Sequence, residues 1–167
     1  LNKDQTYVLN VGGAPGWSEY LMLHTKHVTS MSNKKLHVEL QQYSNIEHLK
    51  MRSEEGMPSY ERLKGIHDNN SNGDNNKQQK YDVILANLNC SPPQAIKTIA
   101  LFSSLLKENG GVFVLLLKLP AAVKQESANN FYHRLFIEEG IYQVDDVFLF
   151  TNSAKETTFI MQTTKRE

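Results

Sequence analysis

The sequence predicts an α/β domain: a mostly parallel sheet with helices on both faces, closed by a C-terminal antiparallel β-hairpin. Three observations carry that prediction. An apolar run at residues 7–11 breaks at Gly12-Gly13 and passes through Ala14, Pro15 and Gly16 into a helical stretch from Trp17. Two later apolar runs, residues 81–88 and 112–117, are each followed by a stretch of helical periodicity. The last two strand-like segments, 142–150 and 157–162, are joined by too few residues for a parallel crossover, so they should pair antiparallel.

Along the chain, Trp17, Leu21, His24 and Val28 recur at helical spacing and predict one helix face against the sheet. Residues 35–40 (KLHVEL) alternate like a second strand ending at Glu39. An acidic side chain at that place, beyond a glycine loop, suits a ribose diol, against the plain alternative of a surface carboxylate. Residues 48–51 predict a short third strand and 60–66 a helical turn or two. Residues 67–80 (HDNNSNGDNNKQQK) are almost devoid of apolar side chains and read as an inserted polar, disordered-type loop. A helix over 94–107 places Ile96, Ile99, Ala100, Ser103 and Leu106 on one face, and Asn109-Gly110-Gly111 stops it. The continuous apolar run 112–117 predicts a central strand covered on both faces, and a helix over about 127–139 ends at Gly140.

At 167 residues the chain suffices for a single domain, 1–167. It begins almost directly at the first strand, so we expect it to be part of a longer protein with flanking domains. Lys plus Arg equals Asp plus Glu at 18 each, so no global positive charge advertises nucleic-acid binding. The single Cys90 excludes an intramolecular disulfide and a cysteine-rich zinc site, and the histidines show no metal-ligand spacing beyond His24-x-x-His27. No apolar run is long enough to span a membrane, and an intracellular setting is expected. A glycine loop at the carboxyl end of a buried strand lets backbone approach a ligand, and five small residues in a row exceed what a strand-to-helix turn needs.

Taken in order, these motifs resemble the FtsJ/RrmJ-type RNA 2′-O-ribose methyltransferases over nearly the whole chain. The family's opening motif, an acidic residue followed by small residues and A-P-G-G with an aromatic, is matched by Asn10-Val-Gly-Gly-Ala14-Pro15-Gly16-Trp17. Its second-strand motif with an acidic end is matched by Leu36-His-Val-Glu39, and its D-M-x-P strand end by Asn87-Leu-Asn-Cys-Ser-Pro92. LKLP followed by a helix, with AKETTFIM at the end, is most similar to the RlmM-type ribosomal RNA enzymes, whereas GGAPGWSEYL is similar to the cap-ribose enzymes.

The resemblance implies a Rossmann-like methyltransferase fold that binds S-adenosylmethionine through Asn10, Gly12, Gly13, Ala14, Pro15, Gly16, Trp17, Glu39 and Asn87. It implies RNA, ribosomal or capped, as substrate. Of the family's Lys-Asp-Lys-Glu catalytic set, Lys118 takes the central lysine position and Glu156 the glutamate position. The aspartate position carries Asn87, which hydrogen-bonds but carries no charge. Lys3 is the only lysine before the glycine loop and is not assigned the first position. Two readings therefore stand: a methyltransferase using Lys118 and Glu156, or an inactive relative kept as an RNA-binding or protein-interaction module.

Overall fold

The first strand explains the rest of the architecture. Val8, Leu9 and Val11 of β1 (Tyr7–Val11) are fully buried although they point to opposite faces, so the strand must be central. The computed structural model describes residues 1–13, 15–52, 60–63, 80–118, 125–139, 144–147 and 156–162. In it β1 is flanked by β2 (His27–Ser32) and β4 (Val83–Asn87), both parallel to it. With β3 (Ile46–Lys50), β5 (Val112–Lys118), β6 (Val144–Val147) and β7 (Glu156–Gln162), the sheet has seven strands in the order β3-β2-β1-β4-β5-β7-β6. Strands β1 to β5 run parallel, and β7 runs antiparallel to both β5 and β6. The predicted α/β class and C-terminal antiparallel pairing are observed. Strand order reverses between β1 and β4, and open α/β sheets bind ligands outside the strand ends at such a point.

Helix α1 (Pro15–His24) packs on one face, while α2 (Pro92–Ser103) and α3 (Gln125–Glu138) pack on the other. The larger core lies under α2 and α3, where Ile96, Ile99, Phe102, Phe113, Leu115, Phe136 and Phe159 are essentially inaccessible to solvent. Each such side chain contributes roughly 1.5–3 kcal/mol through burial. The core under α1 is smaller and consists of Val8, Leu21, Met22, Val28 and Leu40, with Trp17 and Leu85 half-buried against it.

Three expectations are corrected. First, the opening helix stops at His24, and Val28 belongs to β2 rather than to the helix face. The Thr25 hydroxyl donates to the Leu21 carbonyl oxygen (2.7 Å), closing the last turn, and the parallel register Tyr7↔His27 to Val11↔Met31 claims the following residues. Second, residues 35–40 do not form the second strand. Val38–Gln42 is a 3₁₀ turn whose Val38 is 76% exposed, because the sheet position is already filled by the buried β2. Third, β5 is not buried equally on both faces: Phe113, Leu115 and Leu117 are buried, while Val112, Val114 and Leu116 are only half-buried. Helix α1 covers β1 and β2 and leaves the neighbouring strands partly open on its side. The predicted turn at 60–66 is helical over 60–63; residues 64–66 and most of the polar loop, 67–79, lie outside the described residues.

Candidate functional site

The glycine loop leaves β1 at the reversal of strand order, and two of its glycines are required by geometry. Gly12 has φ +92° and Gly13 φ +56°, the left-handed region where a Cβ is strained. A Cβ on Gly12 would stand 2.2 Å from the Asn87 carbonyl oxygen, and one on Gly13 would stand 2.5 Å from Cβ of Ser32. The loop is therefore threaded between the carboxyl ends of β4 and β2. The Gly12 amide continues the sheet by donating to the Met31 carbonyl oxygen (2.9 Å). Gly16 is different, since it lies in α1 with open space around its Cα. Pro15 opens α1, where its missing N–H costs no helical hydrogen bond. Ala14 lies outside the described residues.

Asn10 lies beneath this loop. It is fully buried, and its amide donates to Ser18 Oγ (2.9 Å), which in turn lies 3.2 Å from Ser30 Oγ. One polar chain thus ties α1 to β1 and β2. Glu39 is not at the end of a strand. It sits on the 3₁₀ turn with its side chain 82% exposed, 3.8 Å from His37, and borders a separate cleft with Glu19 and Tyr43. The residues that do follow β2 are Asn33, Lys34 and Lys35, preceded by Ser32, whose hydroxyl donates to the Lys34 carbonyl oxygen (3.2 Å).

Asn87, Lys118 and Glu156 come together on the α1 side of the sheet. Asn87 is the last residue of β4, Lys118 the last of β5 and Glu156 the first of β7. The register pairs Asn87 with Leu116, Leu116 with Thr158, and Lys118 with Glu156. An open cavity of about 550 Å³ lies over this face. Leu21, Leu85, Val114 and Leu116 form its apolar wall, Trp17 and Tyr20 stand on the α1 side, and Asn87, Glu156 and Thr158 supply polar groups. Lys118 is exposed beside it, and its ammonium donates to Asn89 Oδ1 (3.2 Å). Thr158 is brought here by the register of β7, Tyr20 by the packing of α1 and Asn89 by its contact with Lys118.

Asp82, which precedes β4, lies at the opposite, amino end of the strands. Its carboxylate accepts from the Tyr7 amide (2.8 Å) and pairs with Lys107. Its role is to anchor the amino ends of β1 and β4.

No protein-family model and no curated protein matches the sequence. Solved structures do share the fold. The fibrillarin pre-rRNA processing protein of Methanococcus jannaschii matches with a TM-score of 0.67 and 12% identity, over 98% of this chain and 69% of its own. Aeropyrum pernix fibrillarin, solved with natively bound S-adenosyl-L-methionine, matches at 0.64 and 12% identity, over 95% of this chain and 67% of its own. A putative rRNA methylase from Clostridium thermocellum matches at 0.63 and 12% identity, over 99% and 90%. The chain thus spans about two thirds of either fibrillarin. By its strand order, its glycine loop at the reversal point and these structural relatives, the chain has the Rossmann-like fold of the methyltransferases.

Proposed function

We propose that this domain binds S-adenosylmethionine and methylates a ribose 2′-hydroxyl of RNA. The observation that carries the reading is the convergence of Asn87, Lys118 and Glu156 at neighbouring strand ends beside Gly12. Two relatives that share the fold are a fibrillarin with this cofactor bound and a putative rRNA methylase.

The loop suits the cofactor by its place: Gly12 and Gly13, packed without a Cβ against Asn87 and Ser32, let the chain turn tightly at the end of β1, where the strand order reverses. Gly12, Gly13 and the start of α1 would hold it at the end of β1, with Trp17 and Asn87 beside it. The ribose diol would meet the residues that follow β2, beginning at Asn33, not Glu39. When bound, S-adenosylmethionine supplies an electrophilic methyl group. Lys118 would stabilise the negative charge that grows on the ribose oxygen as its proton leaves. Glu156, directly opposite on β7, would hold that ammonium in place, and the Asn87 amide would donate to or accept from the bound groups.

Calorimetric titration with S-adenosylmethionine, followed by transfer of labelled methyl to ribosomal and capped RNA, tests the reading. Micromolar binding and transfer are expected. A folded sample that fails to bind the cofactor would overturn it. A second reading, an inactive domain that binds RNA or a protein partner, is favoured by the amide at Asn87 and by the Lys118 contact to neutral Asn89. Cofactor binding without transfer to either RNA would select it.

A further inference from the structure

The carboxyl ends of β2 and β3 hold a second, chemically different cavity of about 350 Å³, lined by Asn33, Lys50, Met51, Arg52 and Arg62. Among the described residues, three of the five that line it are cations and none is a carboxylate, in a chain whose formal net charge is zero. The three are exposed but carried on anchored backbone. Lys50 ends β3 in register with Ser32, and the Met51 amide donates to the Ser32 carbonyl oxygen (3.0 Å). Met51, beside Arg52, is 5% exposed, and Leu63, beside Arg62, is fully buried in the large core. Tyr60 adds a hydroxyl contact to Ser104 (2.9 Å), holding the helical turn that carries Arg62. Lys34 and Lys35, both exposed, follow Asn33 and extend the positive rim from this cavity to the end of β2. His48 Nε2 lies 2.9 Å from the Lys34 carbonyl oxygen and holds that rim over β3.

The place of the cluster gives it meaning. Ser32, level with Lys50, is the residue that a Cβ on Gly13 would strike, so the cationic cavity is one strand from the glycine cradle, about 5 Å. We propose that Lys50, Arg52 and Arg62 form a phosphate-binding subsite that holds a phosphodiester of an RNA strand running along the carboxyl edge of the sheet. The ligand chemistry is phosphate: guanidinium forks match its oxygens in pairs, and lysine adds a point charge. An open cavity continued by Lys34 and Lys35 suits an extended polyanion better than a single small ion. This inference rests on the RNA reading above, and it assigns the direction in which the strand leaves the site.

The test uses a fluorescein-labelled 12-nucleotide RNA, followed by anisotropy across a salt series. The double variant Lys50→Ala/Arg62→Ala should bind roughly tenfold more weakly at low salt. Its logarithmic salt slope should be smaller by about 1.4, the value for two single-strand phosphate contacts. The exposed Lys97→Ala on α2 serves as control and should change nothing, and cofactor affinity and melting temperature should be unchanged in both proteins. Undiminished RNA binding by the double variant, or an equal loss in the control, would overturn the proposal. Displacement of the RNA by micromolar 2′,5′-ADP, lost in the double variant, would reassign the cavity to a small phosphorylated nucleotide. Cofactor binding by a wild-type protein that does not bind the RNA would defeat this inference alone. Binding of neither would defeat the methyltransferase reading with it.

Discussion

Gly12 approaches the end of β4 so closely that a Cβ there would lie 2.2 Å from the Asn87 carbonyl oxygen. The loop and the strand end that carries Asn87 are thus one mechanical unit, and a change in the first moves the second. Gly12→Ala combines this backbone collision with a left-handed φ of +92°, which alone costs about 1–2 kcal/mol. We expect a fall in melting temperature of roughly 5 °C or more, together with loss of cofactor binding. Gly16→Ala meets open space inside a helix and should stabilise by up to about 1 kcal/mol. Paired thermal melts decide the matter, and equal effects from the two substitutions would refute the assignment.

Lys118→Ala removes the cation opposite Glu156 while leaving the glycine cradle intact. Methyl transfer should fall at least ~100-fold, with the cofactor dissociation constant nearly unchanged. A parallel loss of cofactor affinity would show that Lys118 supports the fold of the site instead.

Asn87→Asp restores a negative charge at the end of β4, on the face shared with Lys118. If the amide limits the reaction, single-turnover transfer should rise about tenfold or more. A variant that binds cofactor normally but transfers no faster would remove Asn87 as the limiting feature.

Asp82 acts at the opposite, amino end of the strands, so its loss should separate stability from function. Asp82→Ala removes the carboxylate that accepts from the Tyr7 amide and pairs with Lys107, a loss of about 1–3 kcal/mol. Urea unfolding should register this, and cofactor titration should not. A change in cofactor affinity at constant stability would count against the assignment.

His27 gives the fold a defined acid sensitivity. Burial at the start of β2 lowers its pKa below 6.5, and Glu47, 4.0 Å away, only partly offsets this. The unfolded chain therefore takes up the proton more readily than the folded one, so stability falls as pH drops below about 6.5 and levels off beneath the folded pKa. His27→Gln should flatten that part of the stability curve between about pH 7 and 5. Urea midpoints with an unchanged pH slope in the variant would assign the acid loss to other groups.

The sheet and its helices were legible because their apolar runs are long and their punctuation is strong. β1, β4, β5 and β7 have enough β-branched and large side chains to declare themselves, and Gly12-Gly13 marks the turn by conformation as well as composition. β2 did not declare itself because its sequence, HVTSMS, is polar. Its Ser30 is buried through contact with Ser18, which Asn10 also binds, and its Thr29 receives the Tyr81 hydroxyl (3.0 Å), whose pKa burial pushes well above its ordinary value. Tertiary hydrogen bonds paid for those polar groups, and no local pattern records them. The alternation in KLHVEL, by contrast, has no place beside β1, because β2 already occupies it. Glu39 goes with that segment and so sits on a 3₁₀ turn, not at a strand end. The basic cavity was equally hidden, since Lys50 and Arg62 are twelve residues apart and meet only through packing.

Strand β7 is the last of the described strands in sequence, yet it lies inside the sheet between β5 and β6. A chain emerging from the ribosome could therefore pair β1 to β5 early and would have to wait for Gln162 to seat the final two strands. Glu156 would be delivered opposite Lys118 at that same closing step. A nascent or prematurely terminated chain would carry the glycine cradle, but without the carboxylate opposite Lys118. The order of translation thus supplies the residues of the cradle before the carboxylate that faces Lys118.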